Sequence, residues 1–577
     1  MRRHIRRKRI MVYFLVLLFC FSFLALKLFK IQIIEGEKYA SQAVKQRSHQ
    51  YVLDTGRGDI LDRDGVSLTD SYRKYVIVAF PVLIENMENT LKEIQYIFKE
   101  KGEGAEVVSI NDNKGSSGER AVKIASGIKS STASYIRGKN LPGILVAREK
   151  VRYGPHSLAS HLVGYVGNIG EKELWEKSAK GYTLTDEIGI SGIERMFEEE
   201  LRSQQPETLS IVLDACNRFI SGLGYRYRQA NSNKDTGALN VKLTLDSNIQ
   251  QEVERIMDRT IEKGAVVVME PGSGDILAMG SRPRLDQTNL MWEDNDFINR
   301  CMQNYYPGSI FKIIVAAAAL EKEKYDLTNI FNCAGHIEIG ADKKHCFQGV
   351  SHGEITFRDA MAYSCNTTFI EVGLNLGRQV IIDYAEKFGI GTKTGLYPPH
   401  LREWETKTGY LPSVEEMPYQ GHLANVVLGQ DRLQATPLQV AQMFSIIANN
   451  GRLVEPRLVM ELTDREGGRV KRFATSREES VLLPSTVNQL KYMLMAVTSY
   501  GTGEEAALDP WITAGKTGTA QTGIIAGEVE KSLSWFAGFT PVDRPAAVVV
   551  VLIEEGKGSS ASHVYSEIMR SIMGRRK

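Results

Sequence analysis

Cysteine is scarce in this chain: six thiols in 577 residues, Cys20, Cys216, Cys301, Cys333, Cys346 and Cys365. Cys20 lies in an apolar run, and the other five cannot all pair among themselves, which excludes a disulfide-stapled scaffold. Cys333 and Cys346 are the one local pair that could bridge. With Cys333-x-x-His336, His345-Cys346 and His352 close by, a disulfide, a zinc site and free buried thiols all stand open, and no metal or other cofactor is expected. An excess of one charge is missing too, since 71 Lys and Arg face 69 Asp and Glu for a formal +2. Residues 1–30 hold eight basic residues and no acid, which leaves 63 basic against 69 acidic residues elsewhere and argues against a basic, nucleic-acid-binding body. No internal repeat and no low-complexity tract stand out. The 43% hydrophobic and 24% charged content is that of a globular chain long enough for two or three domains.

One long hydrophobic run is present, Ile10 to Leu26, interrupted by Lys27 and extended by Leu28 and Phe29. That length just spans a bilayer as a helix if Lys27 snorkels to the far interface. Arg2, Arg3, Arg6, Arg7, Lys8 and Arg9 precede it, so the N-terminus is expected in the cytoplasm and everything after residue 30 outside the plasma membrane. No small-x-small cleavage site follows Ala25, and Leu-Lys-Leu-Phe-Lys continues the segment, which reads as a retained anchor rather than a cleaved signal.

Further along, Asp64-Gly65 marks a turn after the strand-like Asp59 to Leu61. Residues 75 to 240 mix short apolar runs, such as Tyr75 to Phe80 and Glu106 to Ile110, with charged helical stretches. Ser221 to Thr236 reads as a linker or long loop. From Val241 the texture changes: a strand to Leu245, a helix over Asn248 to Lys263, and a hairpin of Ala265 to Met269 and Asp275 to Met279. Mostly helical segments follow, then strands at Ile512 to Thr522, Ser532 to Thr540 and Ala546 to Glu554, and a last helix from Ala561 to Met573. The predicted fold class is α+β, with a five-stranded antiparallel sheet built from both ends of the second domain and covered by helices. The expected divisions are a basic tail over 1–9, a transmembrane anchor over 10–29, an elongated mixed non-catalytic domain over 30–240 and a catalytic domain over 241–577.

Three motifs in that last domain describe acyl chemistry when taken in order. Ser309-Ile310-Phe311-Lys312 follows the turn Tyr306-Pro307-Gly308 and opens a run that is apolar on nearly every side to Leu320, the mark of a buried helix. Lys312 then shares a face with Ser309, and burial lowers its pKa so that it can take the serine proton. Ser364-Cys365-Asn366 falls between two helical stretches, where the Ser364 hydroxyl can relay a proton and the Asn366 amide can hold a peptide carbonyl. Lys516-Thr517-Gly518-Thr519 lies on an extended segment with small neighbours, open to a second chain. Lys516 is expected to supply the charge that keeps Lys312 neutral and attracts a carboxylate, which Thr517 and Thr519 would hydrogen-bond. The backbone N–H groups of Ser309 and Thr519 are candidates for an oxyanion hole. Other copies of these strings, at Ser71 to Lys74, Ser126 to Lys129, Lys393 to Gly395 and Lys407 to Gly409, open no buried helix or sit among loop signals.

These residues resemble the transpeptidase domain of the penicillin-binding proteins. The whole chain after residue 30 is similar to their class B, monofunctional branch, through Arg57 to Gly65, His161 to Gly167, Gly189 to Glu194, Asn299-Arg300, Pro307 to Lys312, His352-Gly353, Ser364 to Asn366, Leu428 to Gln430, Thr436 to Gln439 and Lys516 to Thr519. Gly164 to Gly167 and Ser534 to Phe539 are closer to the elongation type. The resemblance implies a D,D-transpeptidase: Ser309 attacks the carbonyl between two terminal D-alanines of a peptidoglycan stem peptide, and an amine from a neighbouring strand resolves the ester. It also implies acylation by β-lactams, and a pedestal before residue 240 that binds a polytopic membrane glycosyltransferase of the elongation or division machinery. Asp431 departs from the family, which usually has glycine there; residues 202 to 240 are longer than the usual connection, and C-terminal repeat modules are not expected.

The alternatives are a serine β-lactamase or β-lactam sensor of the same fold and a non-catalytic assembly protein. The 207 residues from Ser309 to Lys516 exceed the spacing usual in compact hydrolases of this fold, and no extra base to activate water can be identified. The intact motif residues disfavour a non-catalytic role.

Overall fold

In a computed structural model of the chain, the residues described are 2–36, 39, 48–105, 121–184, 186–203, 205–214, 225–228, 237–290, 296–340, 342–398, 400–401, 407–474, 478–526 and 529–575. The apolar run at 106–110 and Cys216 lie outside them, as does most of the stretch from 221 to 236.

The first helix, α1 (Arg2–Phe29), continues into a π-turn to Ile34. Its segment Lys8–Ile34 is long and apolar enough to cross a membrane and buries nothing against the rest of the chain.

The chain divides into two compact units that interleave in sequence: 1–56, 72–151 and 204–233 form one, and 57–71, 152–203 and 234–577 the other. In the first, Tyr72–Ala79 is the middle strand of three, between Val122–Ile128 and Ile144–Val151. Helices Met87–Lys101 and Ser130–Lys139 cover one face through Ile94, Ile97, Phe98, Ala133 and Ile136. A second three-stranded sheet joins Ser48–Asp54, Glu207–Val212 and Tyr225–Arg228. The last of these is an exposed edge strand inside the stretch expected to be a linker; Tyr225-Arg226-Tyr227-Arg228 does alternate, but over only four residues set among polar, glycine-bearing sequence.

In the second unit, Ile60–Leu61 pairs in parallel with Val241–Lys242, beside Val459–Thr463 and Arg469–Arg472. A buried ionic cluster holds the neighbouring segments: Arg57 meets Glu194 at 2.6 Å and Glu198 at 2.7 Å, and Arg152 meets Glu194 at 2.5 Å. The Tyr182 hydroxyl and the Gly189 N–H donate to Glu198, so the second carboxylate is also satisfied.

The five-stranded sheet is present. We number its strands β1 (Ile261–Met269), β2 (Ile276–Arg282), β3 (Ala514–Ala526), β4 (Val529–Thr540) and β5 (Ala547–Gly556). They run in the order β2-β1-β5-β4-β3, antiparallel throughout, which leaves β3 at an edge. The preceding helix, α2 (Ser247–Thr260), stops three residues short of expectation because Ile261 and Lys263 already pair with Gly556 and Glu555. On one face α2 packs with the final helix, Ala561–Arg575, through Val253, Met257, Val564, Tyr565 and Ile568. The other face carries α3 (Lys312–Glu321), α4 (Phe357–Ala362), α5 (Asn366–Leu376), Pro437–Ala448 and Pro484–Ser499 around one continuous core. Each strand of the centre is apolar on both sides, the pattern of a sheet covered twice.

Candidate active site

Ser309 sits in a 3₁₀ turn, Gly308–Phe311, that runs directly into α3. All nine residues from Lys312 to Leu320 are buried, as the all-round apolar sequence requires, whereas Ser309 is half-buried at the mouth of the helix. Two hydrogen bonds and two close approaches of glycine hold the turn. The Gly308 N–H donates to Gly429 O at 3.0 Å, and the Trp535 Nε1–H on β4 donates to Tyr306 O at 3.1 Å. Gly308 has φ +55 and lies so near β3 that a Cβ would stand 2.6 Å from Thr519 O. Gly518 meets the turn from the other side, where a Cβ would stand 2.9 Å from Ile310 Cγ1 and 3.0 Å from Pro307 O. Glycine is required at Gly308 because backbone approaches backbone, and at Gly518 a side chain would press on Ile310 as well as on the Pro307 carbonyl.

The second motif joins α4 to α5. Ser364 has φ +56, a strained value for a residue with a Cβ, and it turns its oxygens toward Lys312. Lys312 Nζ donates to Ser364 O at 2.7 Å, to Ser364 Oγ at 3.3 Å and to Asn366 Oδ1 at 2.6 Å. Asn366 in turn donates one of its two amide hydrogens to His345 O at 2.8 Å, which leaves the other for a ligand. The structure thus brings Lys312, Ser364 and Asn366 together directly, while among the described residues the Ser309 hydroxyl has no hydrogen-bond partner.

The third motif lies on β3, whose outer edge carries no strand among the described residues. Thr519 O faces the Ser309 turn. Because one residue of a strand sends its N–H and C=O to the same side, the Thr519 N–H points there too. Lys516 Nζ is fully buried and donates to Thr517 O at 3.0 Å and Thr517 Oγ1 at 3.4 Å.

The site holds two buried lysines, both depressed by desolvation. Burial lowers Lys312 to about 8. Burial lowers Lys516 well below its ordinary value, and the Lys312 ammonium pushes it further. Lys312 Nζ has three oxygens around it, and burial pushes both lysines toward the neutral form, with each ammonium disfavouring the other. Desolvation, not a charge on Lys516, is what brings Lys312 down.

The other motif copies stand apart from this arrangement. Ser126 lies within the strand Val122–Ile128, and Lys393 and Lys407 are exposed in loops. Asp431 keeps φ +66, the left-handed conformation that glycine usually takes, and its carboxylate lies 2.9 Å from His422 Nδ1.

A second cluster adjoins the second motif. Cys333, Cys346, His352 and Cys365 place one ligand atom each within 4.8 Å of the others. Cys333 Sγ is 3.6 Å from Cys346 Sγ and 3.2 Å from His352 Nδ1, and Cys346 Sγ is 3.8 Å from Cys365 Sγ. Four donors on a tetrahedral ion with metal–sulfur bonds of about 2.3 Å stand about 3.8 Å apart, so the set fits zinc. Cys333 and Cys346 are both free thiols. The zinc-type donors legible in the sequence did not include Cys365, hidden inside a catalytic motif, and did include His336 and His345, whose ring centroids lie 6.0 Å apart across a hairpin. Packing around α5, rather than spacing along the chain, brings the fourth donor to the other three.

A family model for the penicillin-binding protein transpeptidase domain matches residues 264–574, and one for the penicillin-binding protein dimerisation domain matches 53–233. Among curated proteins, the chain is 30% identical to stage V sporulation protein D of Bacillus subtilis, over 96% of this chain and 82% of that protein. It is 27% identical to the peptidoglycan D,D-transpeptidase MrdA of Acinetobacter baumannii, over 97% and 87%. Among solved structures, a chain from a study of polymerization and crosslinking by a peptidoglycan synthase complex superposes with TM-score 0.70 at 24% identity, covering 98% of each chain. A chain from the complex of penicillin-binding protein 2 and MreC of Helicobacter pylori gives 0.68 at 21%, covering 92% and 99%. At these identities the two structures speak to the fold.

Proposed function

From the premise that this chain belongs to the penicillin-binding proteins, in the class B branch of the penicillin-binding protein 2 type, we propose the residues and steps by which it cross-links peptidoglycan as a serine D,D-transpeptidase. The observation that carries the assignment is the convergence of Lys312 on Ser364 and Asn366 beside a serine turn packed against an open strand edge.

A stem peptide ending in D-Ala-D-Ala would lie along the free edge of β3, its carboxylate at Thr517 and Thr519 and a peptide carbonyl at the remaining Asn366 N–H. The arriving carboxylate favours a charged Lys516, and that charge, close to Lys312, favours the neutral amine there. Neutral Lys312 takes the Ser309 proton as Oγ attacks the penultimate carbonyl carbon. The oxyanion forms between the Ser309 and Thr519 N–H groups, each such donor typically worth about 2.7–4 kcal/mol of barrier. Ser364 passes the proton from Lys312 to the departing D-alanine nitrogen, leaving an ester on Ser309. The acceptor amine attacks the ester, gives its proton back along the same path and restores the serine. A β-lactam presents the same carboxylate and carbonyl and stops at the acyl stage.

The apolar helix Lys8–Ile34 serves as a single-pass anchor, with the basic N-terminus cytoplasmic and the catalytic unit outside. Residues 30–240 are the pedestal and 241–577 the transpeptidase domain, and a polytopic glycosyltransferase is the partner, as the synthase-complex relative suggests. The full-length protein in detergent should take up a fluorescent penicillin stoichiometrically, and Ser309→Ala should abolish labelling; equal labelling of that variant would falsify the assignment. Release of D-alanine that depends on an acceptor amine distinguishes the transpeptidase from a β-lactamase.

A further inference from the structure

The loop after helix Pro484–Ser499 enters the site at a residue outside the three motifs. Thr502 is exposed, yet its hydroxyl stands 2.6 Å from the Thr517 hydroxyl, on the third motif. Its backbone is clamped to α4, the helix that leads into the second motif: the Thr502 N–H donates to Ala362 O at 3.1 Å, and the Tyr500 hydroxyl donates to Asp359 Oδ1 at 2.6 Å. Gly501 lies so close to α4 that a Cβ would stand 2.4 Å from Ala362 O, and the Tyr500 ring packs edge-on against Tyr363 at 6.1 Å. Thr502 is therefore fixed to the helix that precedes the second motif while it touches the third.

Proton counting gives the contact a direction. A hydroxyl carries one hydrogen and two lone pairs, and a carboxylate can only accept. If Thr517 donated to Thr502, no hydrogen would remain for a bound carboxylate. If Thr502 donates, Thr517 Oγ1 accepts from both Thr502 and Lys516 Nζ, 3.4 Å away, and its own hydrogen is free and polarised toward the ligand. We propose that Thr502 is a positioning residue for carboxylate recognition, setting the Thr517 hydroxyl as a donor to the terminal carboxylate of the substrate. This rests on the assignment of the carboxylate to Thr517 above.

The test measures acylation rates of the full chain in detergent with a penicillin and with its carboxyl methyl ester. Thr502→Val keeps the shape and removes the donor, and should slow acylation by the free acid roughly tenfold, the size of one hydrogen bond to a charged chain of donors. The ester rate should be unchanged, and Thr502→Ser should return the free-acid rate to near wild type. Thr517→Val should show the same selectivity, and the double variant should lose little beyond it. A Thr502→Val loss that is absent, or equal for acid and ester, with Thr517→Val still selective, overturns the inference alone. An unselective Thr517→Val overturns the carboxylate assignment and the inference with it. An unchanged melting temperature of Thr502→Val, expected of an exposed side chain, separates positioning from folding.

Discussion

At the scale of the residue, the site turns on two lysines without room for two charges. Because Lys312 must be neutral to accept the serine proton and burial brings it to about 8, acylation by a penicillin should rise with pH through about 8 and level off above it. Lys312→Arg, which cannot deprotonate, should lose at least about a thousandfold at every pH. A rate that is flat between pH 6 and 9 would mean that another group is the base. The remaining copies of the motif strings supply the control: Ser126→Ala and Lys407→Ala should label at wild-type rates, since one is in a strand remote in sequence from the site and the other in an exposed loop. Local sequence shows why the copies differ, because only Ser309 precedes eleven residues, Ile310 to Leu320, that are all apolar or small except one lysine.

At the scale of the element, the serine turn, β3 and the α4–α5 junction are each held by close contact rather than by propensity. Gly518→Val would drive a side chain into Ile310 and Pro307, and should slow acylation by more than tenfold while the rest of the fold survives; overpacking of this kind costs about 1–3 kcal/mol. The four-donor cluster acts on the same junction, since Cys365 stands between Ser364 and Asn366. The purified protein should carry one zinc per chain by elemental analysis, and cobalt exchanged into it should show thiolate-to-metal absorption. His352→Ala should lower metal content and melting temperature together, and metal-free protein with an unchanged melting temperature would remove the cluster from the structural account. Sequence alone offered three of these ligands among decoys. The fourth was concealed by a motif that explained it in another way, and only the fold of α5 onto the hairpin set it beside the others.

At the scale of the molecule, the compact unit that contains the site draws in residues 57–71 and 152–203, far from it in sequence. The Arg57, Arg152, Glu194 and Glu198 cluster ties those segments. Burial by itself would raise Glu194, but Arg152 and Arg57 outweigh it and hold its carboxyl below the ordinary range. A depressed carboxylate contributes stability that is present above its unfolded pKa and is lost as the pH falls through the folded one. Glu194→Gln should therefore destabilise by about 3–5 kcal/mol, as removing one partner of a buried pair does, and should flatten the acid side of the denaturation profile. Chemical unfolding from pH 3 to pH 7 checks both; a Gln variant as stable as wild type would show that the cluster is replaceable.

Features that depend on neighbours along the chain are written in the local sequence. The long apolar N-terminal helix, the buried serine helix, the helix-to-helix turn at Ser364 and the strand at Lys516 were all legible, because hydrophobic periodicity and turn residues are local properties. Tertiary structure decided whatever depends on distance across the fold. It buried two lysines in one site, drew Cys365 and His352 into one cluster, placed Thr502 against Thr517, and paired Ile60–Leu61 with Val241–Lys242. Desolvation, like-charge repulsion and pairing between remote strands arise only when segments far apart in sequence are packed together.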